Sequence, residues 1–254
     1  MGFPSSLPAM TDHQASSPET LQTLIRQDGF AFVTPETMRR LLAPTGHLVD
    51  WTAFAASWEQ LGPDTYLAAK GRHRRRRHAV FSAGPAGGFT RPPHQPHYQS
   101  LDYNSLQGGI ERWFEPVLPA IADGSSMQCI LHFCRDFFGT LAPSVRQWHV
   151  EVHQFRIEAR IGEAGEPTPE GVHRDGVDYV LVLLIDRVNI ESGTTSIHAP
   201  DGELLGSFTL THPLDAALVD DARVCHGVTA VTPHDPTQPA HRDVLVVTFR
   251  AVES

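Results

Sequence analysis

Cysteine is nearly absent from this chain of 254 residues: Cys129, Cys134 and Cys225 are three scattered positions. No pair has the CxxC spacing of a zinc knuckle, and three thiols cannot staple a small secreted scaffold, so a reducing cytoplasmic setting is expected. Positive charge is also in deficit. Twenty Lys and Arg stand against twenty-nine Asp and Glu, a formal net charge of −9, and Lys70 is the single lysine. That balance argues against the broad positive field of a nucleic-acid binder. Long apolar runs are missing as well. The longest, Tyr179 to Ile185, falls far short of the ~20 residues of a membrane helix. No basic start followed by an apolar stretch opens the chain, so neither a secretory signal nor a membrane partner is expected.

What the chain does have is histidine, fifteen in all, with 41% hydrophobic residues, enough to bury a core of one-domain size. Residues 1–17, rich in Ser and Pro, read as a flexible lead-in. A single domain is expected over 18–254, with 18–143 mostly helical support and first strands. Ser17-Pro18 should cap a first helix ending near Gly29. Thr34-Pro35 should open a second and Asp50 a third. Phe30 to Val33 reads as a short strand, and Ile130, Phe133 and Phe137 recur at helical spacing.

From Trp148 the period switches to two. Trp148, Val150 and Val152 alternate with His149, Glu151 and His153, and short strand candidates then follow one another to Phe249 between Gly, Pro and Asp turns. The expected class is mainly β with N-terminal helices: a jelly-roll core over 147–250 flanked by α-helices.

Within that core, His173 and Asp175 stand two positions apart ahead of an apolar strand. On extended backbone, i and i+2 point to one side, so an imidazole and a carboxylate can converge on one ion. A third ligand is available in His226, on a later strand. Two histidines and one carboxylate on one face of an octahedron leave three positions open, the arrangement of non-heme Fe(II) oxygenases. HxD is a short pattern that fifteen histidines will produce by chance; its conjunction with a later strand histidine and with Arg242 at the start of an apolar strand is the stronger signal. A guanidinium entering such a strand needs a carboxylate to meet it, and a dicarboxylic co-substrate would provide one. Two other readings share these residues: a non-catalytic metal-binding jelly roll acting as sensor or scaffold, and a cupin-like metalloenzyme, which needs no such arginine.

The stretches PTPEGVHRDGVDYV, LIDRVNIESG, FTLTHPLD, VDDARVCHGVTAV and HRDVLVVTF, in this order and spacing, resemble the bacterial 2-oxoglutarate and Fe(II)-dependent dioxygenases that include free-amino-acid hydroxylases such as isoleucine hydroxylase. RRRRHAVFSAG and SLDYNSLQGG are similar to the same subfamily. The resemblance implies a double-stranded β-helix and Fe(II), 2-oxoglutarate and O2 as reactants. It makes His173, Asp175 and His226 the catalytic iron ligands and Arg242 the anchor of 2-oxoglutarate, with a small polar molecule, such as a free amino acid, as substrate. It implies hydroxylation rather than halogenation, because Asp175 occupies the place that halide takes in relatives lacking the carboxylate. Many relatives carry a hydroxyl residue two positions after the arginine, where this chain has Val244, so the co-substrate must find its other hydrogen bonds elsewhere.

Other residues are weaker candidates. Gln154 and Arg156 face either the pocket or solvent. Asp220 and Asp221 either orient His226 or form a turn, and Cys225 reads as a small core residue. His149 and His153, flanking Glu151, read as strand residues that rival the proposed site only if a partner motif joins them. The arginine run Arg74 to Arg77 reads as a charged strand edge or as a source of a substrate-binding guanidinium.

Overall fold

The computed structural model describes residues 13–68, 73–104, 106, 108–160 and 162–252; most of the expected lead-in, Lys70 and Arg72 lie outside them. The helices are α1 (Pro18–Asp28), α2 (Pro35–Leu42), α3 (Trp51–Ala56), α4 (Thr65–Ala68), α5 (Pro119–Ala122) and α6 (Ser125–Leu141). The early strands are β1 (Gln14–Ala15), β2 (Phe30–Val33), β3 (Gly62–Pro63) and β4 (Arg74–Ala83). The later ones are β5 (Trp148–Ala159), β6 (Tyr179–Val188), β7 (Ile190–Ser192), β8 (Thr194–His198), β9 (Leu204–Thr209), β10 (Ala216–Asp220), β11 (Cys225–Val228), β12 (Val231–Pro233) and β13 (Ala240–Ala251).

Local chemistry explains the helix starts, with two departures from expectation. Ser17 accepts from the Thr20 amide while Thr20 Oγ1 accepts from the Ser17 amide, a reciprocal cap, and Gly29 ends α1 at φ +81°. Thr34 makes no side-chain cap to α2; Pro35 alone sets its first turn. Asp50 does not cap α3. Its carboxylate instead accepts from the amide and hydroxyl of Ser126 at 2.8 and 2.5 Å, and so satisfies the start of α6 across the fold.

Eight strands form one sheet in the order β1-β2-β10-β6-β13-β5-β4-β3; β11-β8-β9 and β12-β7 form two smaller sheets. Beside its centre lies its longest antiparallel pair, β5 and β13, in register from Ala159 opposite Ala240 to Trp148 opposite Ala251. One face of this sheet, carrying Trp148, Val150, Val152, Leu245, Val247 and Phe249, packs on α1, α2, α3 and α6 in the main core. The other face meets the small sheet. Phe30 and Phe32 of β2 pack against Phe208 of β9, with centroids 6.4 and 5.5 Å apart, in a second core that includes Ile197 and Leu184. The result is the expected jelly roll with helices on one side, and the early part of the chain lends it four strands. Cys225, expected in the core, is half-exposed at the end of β11.

The arginine run is not a solvated edge. Arg74 and Arg76 point inward from β4, while Arg75 and Arg77 pair outward with Glu158 and Glu115. Asp64, fully buried beside the edge strand β3, accepts from Arg74 at 2.8 Å and faces Arg76 at 3.8 Å. Burial pushes the Asp64 carboxyl up, but the two guanidinium charges outweigh it and hold it below the usual range. Asp64→Asn should therefore cost about 3 kcal/mol at pH 7, because it strands two buried cations. A depressed carboxylate stabilises the fold above its unfolded value of about 4, and that stability is lost as pH falls through the lower folded value. Urea denaturation should show the gap between variant and wild type closing in acid.

Candidate metal centre

Between the large sheet and the small one lies a cavity of about 370 Å³. The odd-numbered face of β5, from His149 to Ile157, lines it, together with Arg242, Val244, Val246, Thr248 and Arg250 from β13 and Arg74 and Arg76 from β4. Gln154 and Arg156 belong to the opposite face. Gln154 donates to Ser57 Oγ, and Arg156 forms paired bonds to Asp243 and Glu59. Both readings of those two residues, pocket and solvent, are thus corrected: they are buried, and the phase that buries Trp148 and Val152 against the helices carries them away from the cavity.

His173, Asp175 and His226 meet at this cavity, with one ligand atom from each lying within 4.8 Å of the others. His173 and His226 exchange backbone hydrogen bonds of 2.9 and 2.8 Å, which sets their rings 4.6 Å apart. Asp175 Oδ1 is 3.5 Å from His173 Nε2, and Oδ2 is 3.7 Å from His226 Nε2. His173 Nδ1 donates to the Gly171 carbonyl at 3.0 Å, so its Nε2 is the nitrogen turned to the carboxylate. Glu170 also reaches His173 Nε2, at 3.2 Å.

Burial lowers the His173 imidazolium, but the hydrogen bond and charge of Asp175 and the charge of Glu170 outweigh it and raise the group to about 9. Asp175 is pushed up by burial and brought down more strongly, to about 2, by His173 and His226. Burial holds His226 at about 4. Two imidazoles and a carboxylate brought together in this way suit a divalent transition ion.

Asp221 is the residue that shapes this corner. Fully buried, it accepts from the amides of Asp175, Gly176 and Val177 at 3.0, 2.8 and 3.2 Å, and lies 3.8 Å from His226 Nδ1. Burial first, and then the Asp175 charge, raise its carboxyl to about 7. Of the two readings for Asp220 and Asp221, the orienting one suits Asp221. From the other side, Gln99 donates to the Asp175 carbonyl at 3.3 Å, and Gly176, at φ +80°, lies so close to the Tyr103 ring that a Cβ would come within 2.5 Å of it.

Arg242, 2% exposed, enters the cavity with Nε and Nη2 lacking any hydrogen-bond partner among the described residues. Opposite it on β6 stands Arg187, whose buried Nη1 also lacks a partner. Burial, and then the Arg187 charge, lower Arg242 to about 10. Like charges directly opposite across two strands destabilise a sheet. An anion placed between the sheets would relieve them, and a dicarboxylate fits this demand. Sequence reasoning missed Arg187, because a register shift between Asp243 and Val244 decides which β6 residue faces Arg242.

A second cluster was also missed. Glu151 Oε2 accepts from His78 Nε2 at 3.0 Å and His97 Nδ1 at 2.5 Å, with His153 Nε2 at 3.5 Å, while Oε1 accepts from His149 at 3.2 Å. Burial lowers His78 to about 4 and lowers His97 and His153 as well. Glu151 is pushed up by burial, yet its histidine hydrogen bonds keep it well below the usual carboxylate range. The alternation of histidines around Glu151 was a visible signal; the partners from β4 and from residue 97 were not.

Comparison with known proteins agrees with this architecture. A family model described as 2OG-Fe dioxygenase matches residues 55–248. A 3(1)-hydroxy-L-isoleucine 4-dioxygenase of Pantoea ananatis (strain AJ13355) is 26% identical over 240 residues, 91% of this chain and 95% of that protein. An L-isoleucine-4-hydroxylase of Bacillus thuringiensis is 28% identical over 161 residues, 62% of this chain and 66% of that one. The crystal structure of a bsmA homolog from Methylobium petroleophilum PM1 superposes with a TM-score of 0.84 at 36% identity, covering 93% of this chain and 94% of that chain. With its jelly roll and a family match over most of its length, the chain belongs to the 2OG-Fe dioxygenase family.

Proposed function

We propose that His173, Asp175 and His226 hold the Fe(II) of this dioxygenase, that Arg242 anchors the distal carboxylate of 2-oxoglutarate, and that the substrate is a free aliphatic amino acid which the enzyme hydroxylates. The observation that carries the reading is the meeting of the three ligands at the same cavity into which Arg242 brings two unpartnered nitrogens. The bound reactants supply the oxidation: 2-oxoglutarate is decarboxylated to succinate, and the two atoms of O2 end in succinate and in a C–H bond of the substrate.

The chain's own residues bind, orient and shield. Gly171 fixes the His173 tautomer through its carbonyl, so that Nε2 is the ligating nitrogen. Asp221 fixes the backbone that carries Asp175. Val244 is apolar where a hydroxyl is common; Thr195, buried on β8 and lining the cavity, is the hydroxyl that takes over its part. Aliphatic wall from Val182, Val219, Val228 and Val246 suits an amino-acid side chain, and Glu170 and Arg112 supply charges of both signs for a zwitterion. The names of the Pantoea and Bacillus relatives support the same substrate class.

Anaerobic addition of Fe(II) and 2-oxoglutarate should give a visible charge-transfer band, and oxygen should then yield succinate, faster with L-isoleucine or another aliphatic L-amino acid. His173→Ala should abolish the band, and a variant that keeps it overturns the ligand assignment. Arg242→Met should weaken 2-oxoglutarate binding about 100-fold, the scale of a lost buried ion pair. Fe(II) affinity should hold in that variant, as read by a metal titration without co-substrate. Asp221→Ala should speed hydrogen exchange at the amides of Asp175, Gly176 and Val177 at least tenfold while exchange in β5 is unchanged.

A further inference from the structure

The cluster around Glu151 takes no part in the roles assigned above. We infer that His78, His97 and Glu151 form a second cation site, independent of His173, Asp175 and His226, which takes a borderline divalent transition ion of the Zn²⁺ class. Three observations on separate elements point to it.

The first is convergence. Ligand atoms of His78, His97, Glu151 and His153 lie within 4.8 Å of one another. Two imidazoles that ligate one tetrahedral ion at about 2.1 Å place their ring centres about 5 Å apart. His78 and His97, the two rings that would share the ion, are 5.6 Å apart, against 4.6 Å for His173 and His226.

The second is rigidity. His78 stands directly opposite His153 across the paired strands β4 and β5, and Glu151 lies two positions before His153 on the same face. His97 is carried in by a chain segment locked to Arg112 through two backbone hydrogen bonds of 2.9 Å each. Ligands on such supports are held in place before an ion arrives.

The third is the division of labour among the five polar side chains. Arg76 donates to His153 Nδ1 at 2.7 Å. Because arginine can only donate, His153 keeps its proton on Nε2, directed at Glu151. His149 donates to the other carboxylate oxygen. The His149 ring N–H therefore orients Glu151 from outside, as carboxylate ligands are usually oriented, with the His153 Nε2 proton donor 3.5 Å from Oε2 as a weaker support. That leaves Oε2, His78 Nε2 and His97 Nδ1 to face one another. Arg76, the buried cation beside them, is balanced by Asp64 at 3.8 Å and by the faces of Phe114 and Phe155. Imidazole with one carboxylate selects Zn²⁺ and its neighbours over Mg²⁺ or Ca²⁺. Since His97 and Glu151 line the cavity, the remaining coordination position opens into it, within reach of an anionic group bound there.

Chelator-stripped, untagged protein is loaded with Zn²⁺ or Co²⁺, desalted, and its metal counted by mass spectrometry. Wild type should retain two ions per chain, the double variant His173→Ala/His226→Ala one, and that variant combined with His97→Ala none. Co²⁺ in the double variant should show the intense absorption of a tetrahedral site, lost with His97→Ala or Glu151→Gln. If Glu151→Gln does not fold, as judged by circular dichroism, His97→Ala at the cavity wall carries the test alone. A natively folded double variant that binds no ion makes the cluster a hydrogen-bonded hub and overturns the inference. An ion that survives both His97→Ala and His78→Ala overturns it equally.

Discussion

The pairing of β5 with β13 is the constraint from which the rest follows. Over twelve residues each strand shows one set of side chains to the helices and the other to the cavity. A slip of one residue would exchange Trp148, Val150 and Val152 with His149, Glu151 and His153, which would bury charge against the helices and put hydrocarbon in the site. The apolar phase therefore does more than stabilise the sheet. By holding Trp148 and Phe249 among Phe138 and Tyr179 it fixes which way every polar side chain of the cavity points.

Electrostatics is arranged around the same cavity in pairs of opposite need. Excess carboxylate gathers where His173, Asp175, His226 and Asp221 meet, and excess guanidinium where Arg242 faces Arg187. Among the described residues the guanidinium end keeps buried nitrogens without a partner, which suits an anion, and the carboxylate end gathers the donor atoms that suit a cation. Arg156, by contrast, is paired with both Asp243 and Glu59 on the far face of β5, so the unmet charge is confined to the side that ligands reach.

How much of this the sequence revealed depends on range. The period-two run from Trp148, the HxD pair, the later His226 and the entry of Arg242 are local patterns, and the structure brings those four side chains to one cavity. The helix starts at Ser17 and Pro35 were equally local. The phase of β5 was not, because whether even or odd positions face the helices is fixed by its pairing with β13, far along the chain. This is why Gln154 and Arg156 were misplaced. Asp50 was misread for a similar reason: its carboxylate serves Ser126, seventy-six positions away. The Glu151 cluster draws His78 and His97 from segments with no fixed spacing to it, and no motif search joins them.

The register shift between Asp243 and Val244 has a consequence for how the anion end of the cavity is held. It divides the pairing of β13 with β6 into two lengths, while the pairing with β5 runs through without a break. The longer one, from Val244 onward, is tied through Leu245, Val247 and Phe249 to the main core, and a change there disturbs packing everywhere. The shorter one carries Arg242 between Arg187 on β6 and Ile157 on β5. Because β5 stays paired along both lengths, the rigidity of the main core is carried past the shift to the guanidinium that faces the cavity.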